Sequence, residues 1–187
     1  ERMFDDEDSK DVNLIGSDGA PVRVHSCVLS NTSDVFKCML QSPMKEGKSK
    51  DIKLDSFSAT QLRFITRLLY TGQVAFEDWK AKSDEAPPLD LVLAAASFSK
   101  VYQVQELLAW MISRIRQRVT EKSFEKVMCC AIKDDLVPLR LYCLRFAESS
   151  TTIKKQFNSG KFAAQVQVEL EAIWEKSEYP VKRHRQF

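Results

Sequence analysis

The sequence predicts an α/β protein with its strands in the first half of the chain and helices throughout the rest. Three observations carry this expectation. Asp11-Val12-Asn13-Leu14-Ile15 and Val22-Arg23-Val24-His25 nearly alternate apolar with polar residues, the period of a half-buried strand. Ser17-Asp18-Gly19 between them has the turn chemistry of a hairpin connection. From Leu89 onward, apolar residues recur three and four positions apart through successive segments, which places them on single faces of helices.

Taken in order, residues 1–10 are charged and aperiodic, so a frayed lead-in is expected there. The hairpin follows and must bury one face. Val28 and Leu29, then Val35, Phe36, Met39 and Leu40, supply the apolar stripe of two short helices to cover it. Residues 41–50 form a polar loop rich in Lys and Ser, and residues 51–55 a third strand through Ile52 and Leu54. Ser58 reads as the N-cap of a helix with Leu62, Ile65, Leu68 and Leu69 on one face. Gly72 is placed where a left-handed C-terminal cap belongs. Residues 74–79 can form a short edge strand. Residues 80–88, with Pro87-Pro88, form a loop that is either an accessory surface or plain length variation. Residues 91–99 are apolar almost all round and predict a central helix. Val104, Leu107, Leu108, Met111, Ile112, Ile115 and Val119 form the stripe of the next. Three more amphipathic helices are expected, around Phe124 to Ile132, around Leu139 to Phe146 after Pro138, and from Phe162 to Trp174.

The apolar fraction of 44% and charged fraction of 29% are those of a globular domain. A net charge of +2 does not argue for a nucleic-acid partner. The longest apolar run, residues 91–96, is far shorter than the roughly 20 residues a spanning helix needs, so no membrane role is expected. Asp5-Asp6-Glu7-Asp8 is acidic where a signal peptide is basic and then apolar. Five cysteines, Cys27, Cys38, Cys129, Cys130 and Cys143, are an odd number set mostly within apolar helical stretches. They predict buried thiols in a reducing compartment, hence an intracellular protein, cytoplasmic or nuclear.

Few residues point to chemistry. His25, Ser26 and Cys27, with Asp34 nearby, hold the residue types of a nucleophile and its base, but neighbours in sequence rarely face one another. A structural histidine at a helix start is the simpler expectation. Gly47-Lys48-Ser49 resembles the end of a phosphate loop, yet Ser42 stands where that motif needs glycine, and a strand follows where it needs a helix. Adjacent Cys129 and Cys130 point about 100° apart on a helix, and with His184 they lack the spaced pairs of a zinc site. No catalytic residue, cofactor or metal is therefore expected, and the protein is read as a non-enzyme. Phe76 and Trp79 are either packed or a protein contact. The basic tail Lys182-Arg183-His184-Arg185 is either a solvated terminus, a nuclear-import signal or a weak phosphate contact.

The ordered set Asp11-Val12, Asp18-Gly19, Val24-His25-Ser26, Val28-Leu29, Ser33, Val35-Phe36 and Met39-Leu40 resembles the opening of a BTB/POZ domain. The resemblance continues through Met44 with Glu46, Asp51-Ile52-Lys53-Leu54, Leu69-Tyr70-Thr71-Gly72 with Val74, Ala94-Ala95-Ala96, and the helix near residues 103–107. It implies an α/β BTB/POZ fold, a small mixed sheet flanked by short helices, over residues 11–119. The helices of residues 120–178 are similar in pattern to the 3-box or BACK extension that follows many such domains. Residues 1–10 and 179–187 are then flexible termini, the former too short for the helix and strand that some BTB dimers exchange.

The resemblance further implies a protein-interaction adaptor that forms a homodimer and recruits a cullin-3-type scaffold for ubiquitin transfer. The alternative is a BTB dimer that scaffolds another assembly without a cullin. Met44 and Glu46 stand where cullin-binding members carry a hydrophobic residue, any residue, then glutamate. Val28, Leu29 and Phe36 lie on the opening helices expected to meet the partner copy. Ser26 stands where the zinc-finger-linked subgroup has a basic residue, which disfavours a transcription factor. The substrate protein is not identified by the sequence.

Overall fold

The computed structural model describes residues 2–41, 49–73 and 86–178. Its chain divides into two compact units, Glu1–Ile115 and Arg116–Phe187.

The first unit is built on a three-stranded mixed sheet of order β2-β1-β3. Strands β1 (Val12–Gly16) and β2 (Pro21–Val24) form the expected antiparallel hairpin, with Leu14 opposite Val22. Strand β3 (Asp51–Leu54) pairs parallel to β1, Leu14 lying opposite Ile52. The alternation in the sequence becomes alternation of burial. Val12, Leu14, Val22, Val24, Ile52 and Leu54 are all buried, each contributing on the order of 1.5–3 kcal/mol of transfer free energy.

The hairpin is followed by α2 (Ser26–Thr32) and α3 (Asp34–Gln41), and preceded by a short α1 (Arg2–Asp5). Helix α4 (Ala59–Thr71) packs against β1 and β2. Its start is a complete capping box: Ser58 Oγ accepts from the Gln61 N–H at 3.3 Å, and Gln61 Oε1 accepts from the Ser58 N–H at 2.8 Å. The hairpin turn is tied to the same place, because the Asp18 carboxylate accepts from the Ala59 N–H at 3.0 Å and the Ser17 N–H donates to the Phe57 carbonyl at 2.8 Å. This approach needs glycine at position 16, where a Cβ would stand 2.6 Å from the Phe57 carbonyl oxygen. Gly72 ends α4 in the left-handed conformation, φ 64°. Helix α5 (Leu89–Val101) is buried from Leu91 to Ala96, as its all-round apolarity predicts, and packs on α4. Helix α6 (Gln105–Arg116) closes the unit with Leu107, Met111, Ile112 and Ile115 inward.

The second unit is helical throughout its described part: α7 (Phe124–Lys133), α8 (Val137–Ser149), α9 (Thr151–Asn158) and α10 (Ala164–Glu178). Phe124, Val127, Met128 and Ala131 of α7 meet Leu139, Cys143 and Ala147 of α8, Ile153 of α9, and Val166 and Leu170 of α10 in one apolar interior. The ring of Phe124 is T-shaped to that of Phe162, centroids 5.6 Å apart. Sequence periodicity anticipates three helices here, and the described residues form four. Helix α9 buries only Ile153, too little to register as a stripe. Its start is fixed instead by Ser150 Oγ, which accepts from the Ile153 N–H at 3.3 Å. Among the described residues no helix is long and apolar enough to cross a membrane.

Candidate functional site

The surfaces of the first unit that could meet a partner are set by two side-chain networks, one at the α3 end and one at the N-terminus. At the α3 end, Ser33 Oγ accepts from the Phe36 N–H at 3.2 Å and donates to the Tyr102 carbonyl at 2.5 Å. Phe36 is fully buried, stacked on Tyr102 with centroids 4.5 Å apart and 13° between planes, and 5.7 Å from Phe98. These contacts fasten α3 to the corner between α5 and α6. That corner turns through Gln103, whose φ of 55° is uncommon for a non-glycine residue, and it leaves Val101 56% exposed. Lys37 and Cys38 are exposed on α3 nearby in sequence. Met44 and Glu46 lie outside the described residues, as do residues 74–79, 80–85 and the basic tail.

The three residues expected at a dimer face are placed differently from one another. Val28 is half-buried, whereas Leu29 and Phe36 are buried within the chain's own core at 1% and 0% exposure. Leu29 and Phe36 therefore have no surface left to contribute to a partner and act on such a face only by shaping α2 and α3. The neighbouring positions Ser26, Cys27 and Ser30 retain accessible surface on α2.

At the N-terminus the structure departs from a frayed lead-in. Phe4 packs edge-on against Tyr70, centroids 5.4 Å apart, and the Arg67 guanidinium lies 4.5 Å from the Phe4 centroid. Lys10 is buried, pairs with Glu7 and lies 5.0 Å from the same ring. His25 is buried at the start of α2, its Nδ1 2.6 Å from Tyr70 Oη and its Nε2 2.7 Å from Ser9 Oγ. Tyr70 Oη also accepts from the His25 backbone N–H at 2.7 Å, and Ser9 Oγ donates to the Asp6 carboxylate at 2.7 Å. The proton order that satisfies every group runs Tyr70 to Nδ1, Nε2 to Ser9, and Ser9 to Asp6. The Ser9 hydroxyl holds the Asp6 carboxyl below its usual range. Burial pushes Tyr70 upward. Burial also raises Asp11, but hydrogen bonds from Ser26 outweigh it and leave the carboxyl lowered. Both imidazole nitrogens are engaged, so the cluster fastens residues 2–10 to α4 and offers no open position to a substrate. The sequence identified His25 as structural; its partners Ser9 and Tyr70 are 16 and 45 residues away, beyond any local pattern.

The thiols correct a further expectation. Only Cys143 is buried, where desolvation pushes its thiol up to about 12. Cys27 and Cys38 are exposed, and none of the five forms a disulfide. Both exposed cysteines lie on the polar sides of short helices whose apolar stripes face inward. Among the described residues, no group of three His, Cys, Asp or Glu side chains is disposed to hold a metal.

Comparison with known proteins bears on the first unit most strongly. The BTB/POZ domain profile matches residues 1–116. The chain belongs to the BTB/POZ family. It is thus built on a protein-interaction fold, a small mixed sheet with many helices as described above. This BTB/POZ chain is 34% identical over 104 residues to a BTB/POZ domain-containing protein of Arabidopsis thaliana, covering 54% of this chain and 38% of that protein. It is 25% identical over 162 residues to Kelch-like protein 26 of Danio rerio, covering 75% of this chain and 26% of that protein. The chain thus spans well under half the length of these relatives. Among solved structures it is similar to the BTB domain of zebrafish PATZ1, with a TM-score of 0.46 and 16% identity over 62% of this chain and 83% of that one.

Proposed function

We propose that this BTB/POZ chain is a homodimeric adaptor that recruits a cullin-3-type scaffold for ubiquitin transfer, within the cell, to a substrate bound elsewhere. The observation that carries the reading is the position of Met44-Lys45-Glu46, three residues after α3 ends at Gln41, in a chain whose first 116 residues match the family. The fastening of α3 to the Val101 corner supports it, because a docking loop needs a rigid base to present its anchor at low entropic cost. In this reading Met44 enters an apolar pocket on the cullin and Glu46 meets a polar group beside it. Residues 120–178 act as a 3-box or BACK-like extension of a BTB domain spanning 11–119. The alignment to the Kelch-like protein supports this, since it covers 75% of the chain, more than residues 1–116 contain. The dimer face is formed around Val28 and the accessible positions of α2.

The test is isothermal titration of the purified cullin-3 N-terminal region into the full chain, with light scattering for oligomeric state. Binding together with a dimer supports the adaptor. A dimer without cullin binding leaves a BTB scaffold, and a monomer at micromolar concentration removes the homodimer.

A further inference from the structure

A groove of about 300 Å³ lies wholly within the second unit, lined by Arg116, Val137, Pro138, Leu141, Tyr142 and Arg145. Residues 137, 138, 141, 142 and 145 recur at helical spacing on α8, so the groove runs along one face of that helix. Val137 and Leu141 are 40% and 50% exposed, two of the five most exposed large apolar side chains among the described residues. Their clustering in one concavity, and not their exposure singly, marks the site.

The charge of the groove has one sign. Arg116 is held in place by its Nη2, which donates to the Pro138 carbonyl at 2.9 Å, and its guanidinium lies 5.5 Å from the centre of the Tyr142 ring. The Tyr142 hydroxyl in turn donates to the Arg116 carbonyl at 3.0 Å. The Nε of Arg116 is buried and has no hydrogen-bond partner among the described residues. Arg145 is exposed. Neither arginine forms an ion pair with a carboxylate among the described residues, in contrast to Arg140 on the same helix, which pairs with Glu169 at 3.5 Å. Helix α8 begins without a side-chain cap or an acidic residue in its first turn, and Asp134 and Asp135 stand just before its N-cap Leu136, outside the groove lining.

We propose that this groove docks a short acidic protein segment, an apolar side chain seated between Val137, Leu141 and Tyr142 and a carboxylate bridging toward Arg116 and Arg145. The arginines suit this occupant because a planar guanidinium donates two parallel N–H bonds to a carboxylate. The volume, at the lower end of the range for ligand sites, suits one or two side chains. This inference does not rest on the cullin reading, and the site is separate in sequence from the α3 loop.

The test is fluorescence anisotropy of the full chain with a short labelled peptide in which leucine and glutamate recur at helical spacing, against the same peptide with lysine for glutamate. Saturable binding of the glutamate peptide is expected, weakened at least tenfold by Arg145→Glu and by Leu141→Ala, with Arg145→Glu gaining affinity for the lysine peptide. Thermal melts of both variants are expected to match the unsubstituted chain, since both side chains are solvent-facing. Absence of saturable binding, equal binding of both peptides, or binding indifferent to Arg145→Glu would overturn the proposal. Loss of cullin-3 binding in Arg145→Glu would assign the groove to the cullin and overturn it equally.

Discussion

The ring of Tyr102 lies nearly parallel to that of Phe36, 4.5 Å away, while the Tyr102 carbonyl accepts the Ser33 hydroxyl. One residue thus holds α3 through both its side chain and its backbone. Phe36→Ala is expected to destabilise the first unit by about 3–5 kcal/mol through a cavity that also strands the Tyr102 and Phe98 rings. Ser33→Ala removes the start of α3 and the link to Tyr102, costing about 1–2 kcal/mol. Urea melts measure both. If α3 is the base of the docking loop, Ser33→Ala also weakens cullin-3 binding at temperatures where the variant remains folded.

Thr66 lies at 1% exposure in α4 with no partner for its hydroxyl among the described residues. A buried hydroxyl without a hydrogen bond is a cost, and valine has the same branching and nearly the same shape. Thr66→Val is therefore expected to stabilise the chain by about 1 kcal/mol, seen as a higher melting temperature. A loss of stability would show that the hydroxyl has a partner in solution.

The N-terminal fastening has a predictable pH dependence. Asp6 and Asp11 have folded values below the ordinary 3.8, so their stabilisation is complete above that value and is lost as pH falls through the folded values. Tyr70 is raised above 10.0, so its contribution is complete below that pH and is lost as pH rises beyond it. Protection of residues 2–10 from hydrogen exchange, relative to the unfolded chain at the same pH, is expected to be high across the interval between and to fall on the acid side below 3.8 as the carboxylates protonate. Tyr70→Phe leaves the buried His25 N–H without its acceptor and is expected to cost about 1–3 kcal/mol.

Thiol reactivity separates the cysteines. Cys27 and Cys38, both exposed, are expected to react with a disulfide reagent in the native state, while Cys143, buried and raised to about 12, reacts only on unfolding. Fast labelling of Cys143 would mean that the α7–α8 interior opens readily.

What the sequence disclosed depended on how local the determining interaction is. The hairpin, the Ser58 cap, the Gly72 stop and the central helix were legible because each is written within a few residues. The opening helices were legible as a stripe, but a stripe shows only that a face is buried, not against what. Leu29 and Phe36 fill the chain's own core, and no periodicity separates that from a surface buried by a partner. The N-terminal fastening was illegible for a related reason: Phe4, Ser9 and Lys10 look like a charged tail until Tyr70 and Arg67 are brought beside them. Cys27 and Cys38 misled because apolar neighbours in sequence stood on the other side of short helices. Helix α9 was missed because two lysines and two threonines outweigh its one buried residue, Ile153.

The adaptor reading turns on Met44, and one titration addresses it most directly. The cullin-3 N-terminal region is titrated calorimetrically into the unsubstituted chain and into Met44→Asp, with a thermal melt of each as control. The account predicts saturable binding by the unsubstituted chain and a loss of two or more orders of magnitude in Met44→Asp, since an unpaired carboxylate in a desolvated pocket costs several kcal/mol. It also predicts melts that differ by no more than about 0.5 kcal/mol in stability. No binding by the unsubstituted chain, or equal binding by both, would contradict it.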